Sequence, residues 1–102
     1  MPEEIYFAPL ADHPAVRLDE VVAQFASRGR RTGIVEHSPE MCWLVFEGAG
    51  SQLVISTTTD GNKEVGLITL ELAEEEEEAL IVEVEEVTAA LGFSNDPEAN
   101  YR

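Results

Sequence analysis

TGIVEHSPEMCWLVFEGAGSQLVISTTTDGNKEVGLITLEL, residues 32–72, reads as four strands joined by three short turns. Thr32 to His37 is β-branched and ends at Ser38-Pro39-Glu40. Cys42 to Glu47 is aromatic and β-branched and ends at Gly48-Ala49-Gly50-Ser51. Gln52 to Thr58 runs into Asp60-Gly61, the strongest short hairpin signal in the chain, and Glu64 to Leu72 completes the set. Connections this short cannot carry a crossover, so the four strands are expected to form an antiparallel meander.

Upstream, Ile5 to Ala8 is a short strand closed by Pro9. Pro14 suits a first helical position, and Val16 or Leu18, Val21, Val22 and Phe25 recur at helical spacing. Gly29 supplies a left-handed stop, with Arg28 at the negative end of the helix dipole. The crossover through this helix is expected to allow the first strand to lie parallel to a neighbour. Downstream, Leu80, Val84, Val87 and Leu91 form one helical stripe within Glu74 to Leu91, ended by Gly92. Leu80, Val82 and Val84 also alternate with glutamates in a strand-like way. The glutamate run and Ala89-Ala90-Leu91 are good helix formers and favour the helix. Residues 93–102 read as a polar tail with a turn at Asn95-Asp96-Pro97.

The order is therefore β-α-β-β-β-β-α. It predicts an α+β fold with a mostly antiparallel four- to five-stranded sheet and both helices on one face, built as a single domain over residues 1–102. At 44% hydrophobic residues the chain can bury a core without disulfide or metal. The lone cysteine, Cys42, sits in an apolar run, which fits a reduced, cytoplasmic setting. No apolar stretch approaches a membrane span, and the acidic start lacks the features of a signal peptide.

Charge is the extreme feature. The formal net charge is −15, against about 2–8 units of either sign for a typical small domain. It is also uneven: residues 64–102 carry twelve acids and one base, Arg102. Such a field excludes direct binding to nucleic acid or an anionic membrane and attracts basic protein surfaces. Docking the apolar stripe of the second helix leaves its glutamates crowded on the remaining surface. Glu75, Glu78, Glu83, Glu85 and Glu86 are the candidate partner-binding residues. The plainer reading of such a run is a solvated face serving solubility.

A second candidate surface follows from strand alternation. Two helices cover one sheet face, and the other still carries large apolar groups: Trp43, Val45, Val54 and Leu67 are the candidate interface. Arg28, Arg30 and Arg31 hold half the basic residues of the chain within four positions. Their expected role is pairing with the chain's own carboxylates or with an acidic patch on a second copy.

Catalysis has little support. His13 and His37 occupy no nucleophile or metal pattern, and Cys42 with His37 has no diagnostic spacing. Asp60-Gly61-Asn62-Lys63-Glu64 lacks most ligands of a calcium loop. No catalytic residue, metal site or cofactor is expected, and no motif is specific enough to assign a family. The sequence points to a non-enzymatic, acidic protein-binding module, in its most concrete form an inhibitor or immunity-type protein covering a basic, nucleic-acid-binding site on its partner. The competing expectation is an accessory or chaperone-like domain that dimerises through its sheet, with acidity serving only solubility.

Overall fold

The computed structural model of the chain describes residues 3–10, 14–48, 50–58, 63–73 and 78–94. Its elements are β1 (Glu3–Pro9), α1 (Leu18–Ser27), β2 (Thr32–Ser38), β3 (Met41–Phe46), β4 (Gln52–Thr57), β5 (Val65–Leu72), α2 (Glu78–Ala90) and β6 (Phe93–Ser94). The expected α+β architecture is present, with one six-stranded sheet in the order β2-β3-β4-β5-β1-β6 and every pairing antiparallel.

Two expectations are corrected. The sheet has six strands because Phe93 and Ser94, assigned to the tail, pair with Pro9 and Ala8. The first strand has no parallel neighbour. The β2–β5 meander leaves one side of β5 free, and β1 fills it antiparallel, with Phe7 opposite Ile68 and Ile5 opposite Leu70. Strand directions alternate from there, so β1 does run parallel to β2, but at the other side of the sheet.

The registers define one closed face. Cys42, Leu44, Phe46, Leu53, Ile55, Ile68, Leu70, Leu72 and Phe7 share it and are buried. Val21 and Phe25 of α1 and Leu80, Val84 and Val87 of α2 complete the core. Phe25 meets Phe46 edge-on at 5.2 Å between ring centres, a geometry that aligns ring edge and face charges. The stripe read from the sequence, Leu80, Val84, Val87 and Leu91, is buried throughout.

Local chemistry sets the helix limits. α1 starts later than Pro14 because Arg17 is held in extended backbone opposite Glu64, just before β5: Val65 N–H donates to Val16 O at 2.7 Å, and Leu18 N–H to Lys63 O at 3.0 Å. The Glu20 carboxylate then accepts from Arg17 N–H at 2.7 Å, satisfying a donor at the helix entry. Gly29 (φ 79°) and Gly92 (φ 85°) end the two helices in the left-handed region that glycine adopts without strain. The Asp60-Gly61 turn and residues 74–77 lie outside the described residues. Among the described residues no helix is long and apolar enough to cross a membrane.

Candidate functional site

Adjacent residues of a strand point to opposite faces. Leu44 is fully buried under the helices, while Trp43 and Val45 project from the other side and are only partly covered. The registers place Val35 opposite Trp43, Trp43 opposite Val54, Val54 opposite Thr69, and Thr69 opposite Tyr6. These five residues form one row across five strands on the face opposite Leu44, with Thr69 buried within it. Val35 is 45% exposed and Tyr6 55%. Met41 and Leu67, both exposed and both opposite Ser56, extend the surface on one side.

On the other side runs a second row, Gly33, Val45, Gln52, Glu71 and Glu4. Its last two members are carboxylates directly opposite each other. Gln52 Nε2 donates to Glu71 Oε1 at 2.8 Å, which satisfies one oxygen but supplies no positive charge. Like charges directly opposite on a sheet are destabilising.

Trp43, Val45, Val54 and Leu67 are thus brought onto one surface. Sequence alternation did not pick out Tyr6, Val35, Thr69, Glu4 and Glu71, which share it. Tyr6 carried a usable signal, since it alternates with Ile5 and Phe7. His37 also lies here, its ring 5.0 Å from Trp43 at 31°, because the register shift between Glu36 and Ser38 inserts it beside the indole.

The acidic-helix candidates are dispersed by comparison. Glu78 and Glu85 are exposed. Glu75 lies outside the described residues. Glu83 and Glu86 are not the uncompensated charges expected: Arg30 Nε donates to Glu83, and Arg28 Nη1 donates to Glu86 Oε1 at 2.8 Å. The arginines after α1 therefore act as expected for pairing within the chain and tie that loop to α2. The Arg30–Glu83 pair is the better protected, with side chains 29% and 19% exposed. Arg30 also lies 6.0 Å from the Phe46 ring centre. Arg31 is 82% exposed and only loosely placed, 3.9 Å from Glu47.

The Cys42–His37 pairing has no geometric basis. Cys42 is buried in the core and His37 lies on the far side of the sheet beside Trp43. Burial raises the Cys42 thiol pKa, Lys63 opposes the shift and Glu36 adds to it. The thiol is held protonated, the reverse of what a nucleophile needs. No cluster of three metal-ligating side chains occurs among the described residues. A cleft of about 450 Å³ lies at the end of the sheet, lined by Pro9, Val16, Val65, Leu91 and Phe93, with Glu64 as the one titratable lining residue among the described residues.

No protein-family model matches the chain, and comparison with curated proteins and with solved structures finds no match.

Proposed function

We propose that the chain is a non-catalytic binding module that holds a basic protein against its open sheet face. The observation that carries this reading is the meeting of two features on one surface: an apolar row centred on Trp43, and beside it the pair Glu4 and Glu71, with no ion-pair partner among the described residues. Aromatic side chains in a partly dry setting supply most of the energy of such contacts. A lysine or arginine from a partner, set between the two carboxylates, relieves their repulsion and lies near the Tyr6 ring. The overall charge of −15 adds long-range attraction for the same class of partner. The acidic residues of α2 contribute to this field, with Glu78 and Glu85 the ones left without an ion pair among the described residues. In its most specific form the module is an inhibitor or immunity-type protein that covers a nucleic-acid-binding surface.

The test compares three immobilised proteins: wild type, Trp43→Ala, and the double variant Glu4→Gln/Glu71→Gln. Partners are captured at low salt and eluted with a salt ramp. A protein retained by the wild type is expected to be lost on Trp43→Ala and to elute earlier from the double variant. Equal retention and equal elution on all three overturn the reading.

A further inference from the structure

We propose that β2 is a self-pairing edge and that two copies of the chain join antiparallel along it into one continuous sheet. β2 is the last strand on its side of the sheet, and six of its seven residues are exposed. An open edge exposes a row of backbone donors and acceptors that invites another strand. The opposite side carries a partial cap: the two-residue β6 pairs with β1 at Ala8 and Pro9. Within Thr32 to Glu36 there is no proline or lysine to discourage pairing, and the register shift comes only after Glu36.

The direction of the free groups follows from one hydrogen bond. Glu47 N–H donates to Arg31 O at 3.0 Å, so Arg31 faces β3. In an antiparallel ladder alternate residues face alternate sides. Gly33 and Val35 therefore also face β3, while Thr32, Ile34 and Glu36 present N–H and C=O outward.

Charge selects the occupant. The edge begins at Arg31, whose side chain is 82% exposed, and ends with the exposed Glu36. A second copy laid antiparallel sets the basic end of each strand beside the acidic end of the other; parallel pairing sets like ends together. A two-fold axis at Ile34 places the two Ile34 residues in a hydrogen-bonded pair and Thr32 of each copy in one with Glu36 of the other, all before the register shift. It places Val35 of each copy opposite Gly33 of the other, and Arg31 of each copy one position from the residue that faces Glu36 of the other. All outward-pointing backbone groups from Thr32 to Glu36 then have partners. Both copies keep their helices on the same side, so the open faces join edge to edge. Repulsion between the two acidic bodies acts over a distance longer than the screening length of about 8 Å at physiological salt, whereas the edge contacts do not.

Sedimentation velocity at physiological salt is the test, on wild type and Ile34→Pro. The Ile34 N–H points outward, so proline there removes an edge donor without breaking the β3 ladder. The wild type is expected to be a dimer, and Ile34→Pro to raise the dissociation constant roughly tenfold or more with an unchanged circular dichroism spectrum. Should Ile34→Pro disturb folding, charge reversal decides. Arg31→Glu and Glu36→Arg each weaken self-association, and mixing the two variants restores it as a heterodimer. A monomeric wild type, or a dimer indifferent to both the proline and the charge reversals, overturns the proposal. Retention of a basic partner is read separately, so the binding role and the self-pairing stand or fall independently.

Discussion

Leu44 and Trp43 are neighbours in the chain with opposite circumstances. Leu44 is fully buried in the core beneath the helices; Trp43 stands on the opposite face, only partly covered. The closed face is apolar at its buried positions on β3, β4 and β5, and these make the core. The open face carries Tyr6, Val35, Trp43, Val45 and Val54, but interrupts them with Thr69, Gln52, Glu71 and Glu4. The difference separates what the molecule uses to fold from what it has left to bind with.

Paired substitutions sharpen that contrast most. Leu44→Ala is expected to cost about 2–5 kcal/mol, through lost burial and the cavity left behind. Trp43→Ala removes mainly cross-strand contacts with Val35 and Val54, each worth about 0.2–1 kcal/mol, and leaves the fold intact. Urea midpoints measure both, and equal losses would erase the distinction between the faces. Next comes the link that fastens α2 over the closed face. Arg30→Ala leaves Glu83 partly buried without its partner and is expected to cost on the order of 1 kcal/mol. Arg31→Ala, at a highly exposed position, stays near the lower end of the ~0–1 kcal/mol range of surface pairs. Both are read by thermal unfolding.

A smaller effect of opposite sign is expected on the open face. Glu4→Lys replaces a like-charge pair by an attractive one and should stabilise the isolated chain by about 0.2–1 kcal/mol, while weakening capture of a basic partner. A destabilised variant would contradict the assignment of Glu4 and Glu71 to one spot. The smallest effect is the pH response of Cys42. Its folded pKa is raised, so its contribution is intact below the unfolded value and declines as pH climbs from there through the folded value. Alkylation of the native thiol should be slow at mildly alkaline pH and become fast on adding denaturant; rapid native alkylation would show that the closed face is open.

Much of this fold was readable because its signals are local. The helical stripe of α2 and the four meander strands each declare themselves within a few residues. β6 did not, because a two-residue strand has no period to detect; its trace was Phe93, a large apolar residue directly after the Gly92 stop. The surface of the candidate site was legible only in part. Strands β3 to β5 carry apolar residues at both parities, so alternation identifies two faces without saying which one the helices take. The salt links from Arg28 and Arg30 to α2 join residues far apart in the chain, and composition alone could not show that two of the glutamates were already engaged.

The position of β1 bears on how the molecule assembles. Phe7 waits for Ile68, which follows it by most of the chain, whereas β2 through β5 find their partners across short turns. Closing so long a loop is entropically costly before any contact rewards it. During synthesis the first strand therefore emerges early and stays unmatched while the meander forms behind it. Its insertion beside β5, followed by the latch of Phe93 and Ser94, is a late event in folding.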